Sequence, residues 1–81
     1  MKNEFMSRIY SNPDLRAGEP CIKGTRIMIS IILDYLAAGE SQAEIIRQYP
    51  ALDEKDIQAA MAYAAWLAHE EEDHPLRLVK A

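Results

Sequence analysis

The chain is organised around residues 18–26, which read GEPCIKGTR. Pro20 fixes its own φ and biases the residue before it toward an extended backbone. Both glycines of the stretch can reach positive φ at little steric cost. We therefore interpret residues 18–26 as a tight β-turn unit that presents two cations, Lys23 and Arg26. In a functional reading they contact phosphates, whereas in a structural reading they are merely solvated.

The segments beside this unit predict a short N-terminal β-layer. Residues 8–10 form a plausible first strand, and residues 11–14, SNPD, are a dense turn signal. Residues 25–29, TRIMI, are rich in β-branched side chains and predict another strand. So small a sheet has open edges and needs a helix, or a second copy of itself, to cover it.

Two short helices are predicted next from their end signals. Helix one covers roughly residues 31–38, with Ser30 as its cap and Gly39 as its stop. Helix two follows residues 41–44, SQAE, which match a capping box in which the serine caps a backbone N–H and the glutamate reaches back. Pro50 ends this second helix.

Helix three is the longest predicted element, from about Glu54 to about Glu70. Asp53 is a good N-cap residue, and acidic side chains suit the positively polarised first turn. Leu52 and Ile57 have the spacing of a hydrophobic staple across this helix start.

The apolar face of helix three is unusually wide. One stripe contains Ile57, Ala60, Met61, Ala64, Leu67 and Ala68, and a second, flanking stripe contains Ala59, Tyr63 and Trp66. Such a face indicates burial against more than the two other helices. We expect the second stripe to be a dimer or partner interface. The alternative is that Tyr63 and Trp66 complete the core of the monomer.

The composition fits one small globular domain. The chain has 81 residues, is 49% hydrophobic and contains one cysteine, so no internal disulfide supports its modest core. A homodimer is therefore an expected source of further burial. We divide the domain into a β-turn layer (1–29), a three-helix core (30–70) and an acidic tail (71–81). No apolar run approaches a membrane span or a signal core, so we expect a cytoplasmic protein.

Charge is distributed unevenly along the chain. The net charge of −4 argues against a general nucleic-acid binder. Residues 1–30 hold five cations against three acids, a balance of +2, whereas residues 31–81 hold four cations against ten acids, a balance of −6. Phosphate contacts should therefore come mainly from the N-terminal part.

Helix two, its short connection and helix three have the layout of a helix-turn-helix. The face of helix three predicted to be exposed carries Lys55, Gln58, Ala62, Ala65 and His69. Gln58 could bond a base edge, but this face has no arginine for the commonest guanine contact. Base readout by this helix would be thin.

No catalytic or metal-binding pattern is evident. Cys21, His69 and His74 have no familiar ligand spacing, and nothing positions a base beside the cysteine. No glycine-rich phosphate loop opens a helix. We predict no enzyme activity, no metal and no cofactor.

The pattern as a whole resembles the small bacterial domain-of-unknown-function family four-three-three. The resemblance covers roughly residues 7–68 and is most specific at residues 23–26, KGTR. It implies a mainly α, winged-helix-like helix-turn-helix fold of three helices with a short N-terminal β-layer. It also implies an antitoxin-like protein that binds and neutralises a PIN-like ribonuclease toxin and represses their shared operon.

Two functions from different classes follow. In the first, a dimeric DNA-binding regulator contacts operator DNA through Arg16, Lys23, Arg26, Lys55 and Gln58, while its acidic half faces a basic toxin. In the second, the protein is an interaction module with no role on DNA.

Overall fold

The computed structural model describes residues 4–14 and 18–70, in which a two-stranded sheet precedes three helices. A 3₁₀ helix, Glu4–Arg8, leads into β1 (Ile9–Tyr10), which pairs antiparallel with β2 (Cys21–Ile22). The helices are α1 (Ile29–Ala37), α2 (Gln42–Gln48) and α3 (Glu54–Glu70). The predicted fold class, mainly helical with a short β-layer, is confirmed. Arg16 and the tail 71–81 lie outside the described residues.

The predicted strand over residues 25–29 does not form. This segment makes one isolated antiparallel bridge, between Met28 and Cys21, and then enters α1 at Ile29. The reason is that Thr25 still belongs to the preceding turn, so too few residues remain for a ladder. The first strand is likewise shorter than predicted, because Arg8 ends the 3₁₀ helix.

Helix α1 begins earlier than the sequence suggested. Its N-cap is Met28, which makes no side-chain capping bond, and Ser30 lies exposed inside the first turn. The Ile29 N–H, one of the donors that a helix start leaves unpaired, donates to the Pro20 carbonyl at 2.9 Å. A backbone carbonyl from the preceding segment therefore pairs a donor at the helix start, where the sequence had suggested a serine side chain.

The predicted end of α1 is confirmed at Gly39, where φ is +93°. The Glu40 N–H donates to the Tyr35 carbonyl and the Gly39 N–H to the Leu36 carbonyl, both at 3.0 Å. These two bonds are the Schellman pattern, which pairs the last carbonyls of a helix.

The N-cap residues of α2 and α3 were predicted correctly, but the reciprocal capping box predicted for α2 forms on α3 instead. Ser41 Oγ accepts from the Glu44 N–H at 3.1 Å, but the Glu44 carboxylate bonds to Arg47 and Gln48 rather than reaching back. The reciprocal box forms on α3, where Asp53 Oδ1 accepts from the Asp56 N–H at 2.9 Å. Asp56 Oδ2 accepts in return from the Asp53 N–H at 3.1 Å.

The core lies between the three helices and the β-layer. Ile32, Ile45 and Ile57 contribute one fully buried side chain from each helix, and Leu52 is buried with Ile57 as the staple predicted. Ile22 of β2 joins the same cluster. The β-layer is thus covered by helices of its own chain and does not need a second copy for this.

Candidate functional site

The turn unit predicted from the sequence contains a hairpin, residues 21–28, whose two cations are exposed. We call these residues the hairpin. The Thr25 N–H donates to the Ile22 carbonyl at 3.0 Å, and Gly24 at the third turn position has φ +85°. Positive φ at that position is the mark of a type II turn, which favours glycine there. Lys23 and Arg26 are both exposed, as the sequence predicted.

Thr25 fixes this turn from inside. Its Oγ1 donates to the Ile22 carbonyl at 2.8 Å and accepts from the Ile27 N–H at 3.0 Å. The Ile22 N–H donates to the Ile27 carbonyl at 3.0 Å and closes the base of the hairpin. The two cations therefore extend from a backbone held by four hydrogen bonds.

Arg8 joins the hairpin to the start of α3. Its carbonyl accepts from the Lys23 N–H at 2.7 Å, and its Nη1 donates to Asp56 Oδ1 at 2.9 Å. A longer contact of 3.5 Å reaches Asp53 Oδ1. Among the described residues, Asp56 is the one charged side chain that is buried, with 7% of its surface exposed. Sequence reasoning missed this cluster, and its only local signal is the Asp-x-x-Asp spacing at the helix start.

The electrostatics of the cluster favour the ionised form of Asp53. The pKa of Asp53 is lowered, first by the hydrogen bond from the Asp56 backbone and then by the Arg8 charge. Arg8 is consequently engaged by two carboxylates, so it adds little free positive charge to the surface near the hairpin.

The predicted DNA-facing side of α3 is exposed at four of its five positions. Lys55 and Gln58 are exposed, as are Ala65 and His69 further along, while Ala62 is half-buried. Lys55 and Gln58 lie near the start of α3, which Arg8 connects to the hairpin.

The second stripe of α3 is divided between core and surface. Ala59 has no exposed surface and packs in the core, so the structure does not leave it available for the interface predicted there. Tyr63 is half-buried against the core and contacts Trp66, with ring centroids 5.9 Å apart. Trp66 is 38% exposed and Leu67 is 43% exposed. We call Tyr63, Trp66 and Leu67 the α3 patch.

The described residues contain no cluster of metal-ligating side chains and no membrane-spanning helix. No three His, Cys, Asp or Glu side chains in residues 4–14 and 18–70 are grouped to hold a metal ion. Cys21 is buried, and its Sγ lies 3.7 Å from the Glu19 carbonyl. No described helix is both long and apolar enough to span a membrane.

Comparison with known proteins identifies the family. The model of the family described as "Protein of unknown function (DUF433)" matches residues 9–64, from β1 into α3, including the hairpin. The chain belongs to this family. DUF433 is the family whose motifs were evident in the sequence.

A curated relative of the chain is "Uncharacterized protein y4eO" of Sinorhizobium fredii (strain NBRC 101917 / NGR234). It is 33% identical over 69 residues, which are 85% of this chain and 28% of the relative. The chain thus spans less than a third of that relative's length. No solved structure matches the chain.

Proposed function

We propose that this protein is an antitoxin-like regulator. It dimerises through the α3 patch, binds operator DNA through the hairpin and the first half of α3, and neutralises a basic PIN-like ribonuclease toxin with its acidic half. The observation that carries the proposal is the division of α3, which exposes Lys55 and Gln58 in its first half and uncovered apolar side chains in its second half.

The α3 patch supports association with another protein chain. Leu67 lies on the same side of α3 as the buried Ala60 and half-buried Ala64, because residues three and seven positions apart share a helix face. The core-facing side of α3 therefore continues beyond the elements that cover it. Aromatic side chains such as Trp66 supply much of the buried area at protein interfaces.

The hairpin supports contact with phosphates. Lys23 and Arg26 are exposed on a backbone fixed by Thr25, so little ordering is needed when they bind. Phosphate contacts of this kind position a protein on DNA, and Gln58 on α3 has the chemistry to read a base edge.

An interaction module without a DNA role is the second candidate. It is favoured by the acids around the proposed DNA contacts. Arg8 is paired with Asp56, and Asp53 and Glu54 precede Lys55 directly on the chain. Repulsion between these carboxylates and phosphates weakens any approach of DNA to the start of α3.

A mobility-shift titration on the protein's own upstream DNA separates the candidates. The regulator binds with an affinity that falls steeply as salt rises, because bound cations release counterions. The paired variant Lys23→Ala/Arg26→Ala should then bind much more weakly at unchanged thermal stability, whereas Arg47→Ala, which removes an exposed arginine elsewhere, should not.

Co-expression with the product of the neighbouring gene tests the antitoxin role. If that product is a ribonuclease toxin, we expect the protein to restore growth and to co-elute with it. Restored growth without any DNA shift would select the interaction module. The absence of both effects would reject both candidates.

A further inference from the structure

A groove of about 400 Å³ opens where α1 and α2 end, on a part of the molecule that the proposed DNA and dimer surfaces do not use. The residues that line it are Ile31, Asp34, Tyr35, Ala38, Glu40 and Tyr49. Its shape is open rather than enclosed, so a single extended side chain of a macromolecule can enter it.

An aromatic pair forms one wall of the groove. The rings of Tyr35 and Tyr49 meet edge to face, with centroids 6.0 Å apart and an interplanar angle of 70°. The faces of aromatic rings carry negative electrostatic potential and attract organic cations. Such cations therefore bind an aromatic surface more favourably than an aliphatic one.

The charges around the groove are negative. Asp34 and Glu40 are both exposed, and none of the described lining residues is a cation. The C-termini of α1 and α2 meet here, and helix C-termini carry partial negative charge. Arg47, two residues before Tyr49 in the chain, donates from Nε to Glu44 Oε1 at 3.0 Å and from Nη2 to Glu44 Oε2 at 2.6 Å.

The pKa of Tyr35 is shifted in a direction that is consistent with this negative charge. Its pKa is raised, chiefly by its interaction with the Tyr49 hydroxyl and to a lesser extent by burial and by the Glu40 and Glu44 carboxylates. Negative charge near a phenol disfavours the phenolate in the same way that it favours a bound cation.

We propose that this groove binds an arginine side chain of a partner protein. A guanidinium is planar, stacks on aromatic rings and bonds carboxylates with a fixed fork of donors, which matches two tyrosines beside two acids better than an ammonium does. The inference deepens the proposed function, since it rests on a basic partner protein and assigns the acidic half a defined contact with it.

The test measures peptide binding to the full chain by NMR. The probe is an acetylated and amidated Gly-Arg-Gly tripeptide, and its control carries citrulline, which has the shape of arginine without the charge. We expect the arginine peptide to shift the ring signals of Tyr35 and Tyr49 and to bind about tenfold more tightly than the citrulline peptide.

Substitutions then locate the contact. The double variant Asp34→Asn/Glu40→Gln is expected to weaken arginine-peptide binding about five- to tenfold, while Glu19→Gln, which removes an exposed carboxylate elsewhere, leaves it unchanged. Circular dichroism confirms that each variant is folded.

Three results would overturn the proposal. They are equal binding of arginine and citrulline peptides, ring signals that do not move, and spermidine binding more tightly than the arginine peptide, which would assign the groove to a free polyamine. Because the assay contains neither toxin nor DNA, its failure is distinct from a failure of the proposed function.

Discussion

Asp56 joins the first described residues of the chain to the longest helix. Its carboxylate accepts from Arg8 Nη1 at 2.9 Å and from the Asp53 N–H at 3.1 Å, so it is both an ion-pair partner and half of a capping box. With only 7% of its surface exposed, it cannot replace a lost partner fully with water. Asp56 therefore links α3 to the 3₁₀ helix through Arg8, and the Arg8 carbonyl in turn accepts from the Lys23 N–H of the hairpin.

A double-mutant cycle measures this connection. Arg8→Ala should destabilise the fold by about 1–3 kcal/mol, because it leaves a largely buried carboxylate without its cation. The coupling between Arg8→Ala and Asp56→Ala should be about 1 kcal/mol in urea unfolding. The matched control is the exposed Arg47–Glu44 pair, whose coupling should be smaller. Equal couplings for the two pairs would contradict the connecting role of Asp56.

The lowered pKa of Asp53 predicts a dependence of stability on acid. A carboxyl group with a folded pKa below its ordinary 3.8 stabilises the fold fully above that value, and the contribution is lost as pH falls through the folded pKa. Asp53→Asn keeps an N-cap acceptor and removes the titration. Unfolding from pH 7 to pH 2 should therefore show the native chain ahead of Asp53→Asn at neutral pH and level with it in strong acid. A constant difference would exclude this linkage.

At the scale of elements, the hairpin is a scaffold separate from the charges that it carries. Gly24 supplies the positive φ, and Thr25 supplies two side-chain hydrogen bonds. Neither Lys23 nor Arg26 is needed for these bonds. Scaffold and cations can consequently be changed independently.

This separation predicts different results for two substitutions in the hairpin. Arg26→Ala should leave the melting temperature unchanged, weaken DNA binding similarly across sequences and lower the salt slope by about one unit. Thr25→Val keeps both cations but removes the two side-chain hydrogen bonds of Thr25. Its main effect should therefore be a lower melting temperature. Lost stability in Arg26→Ala, with a proportionate loss of binding, would show that Arg26 is part of the scaffold.

For the whole molecule, the uncovered surface of α3 suggests association. Of the four large apolar side chains that are exposed in the described residues, three lie on α3, namely Met61, Trp66 and Leu67. The core is completed by the elements around the first half of this helix. A second chain packed on the α3 patch would cover Trp66 and Leu67 without disturbing that core.

Light scattering tests the proposed homodimer. We expect the mass of two chains at micromolar concentration, and Trp66→Ala should raise the dissociation constant about 10- to 100-fold because a buried aromatic anchor is lost. Met61→Ala is the matched control, since Met61 is also 38% exposed but lies about 140° around the helix from Trp66. A monomeric native chain would remove the dimer, and equal effects of the two substitutions would move its interface off the α3 patch.

The sequence by itself determined the features that depend on groups close together in the chain. Ser41 and Asp53 cap their helices, Gly39 ends α1, and residues 18–26 contain a tight turn. Each of these features uses hydrogen bonds spanning three to five residues, whose partners the local sequence identifies. The exposure of Lys23 and Arg26 followed from that turn.

Only the tertiary structure decided the features that depend on distant groups. The start of α1 moved to Ile29 because the Pro20 carbonyl lies beside it, and Asp56 is 48 residues away from the arginine that pairs with it. The apolar spacing of α3 is continuous, yet Ala59 is buried while Trp66 is exposed. Periodicity defines which side of a helix is apolar, but how far along the helix that side is covered depends on where the other elements end.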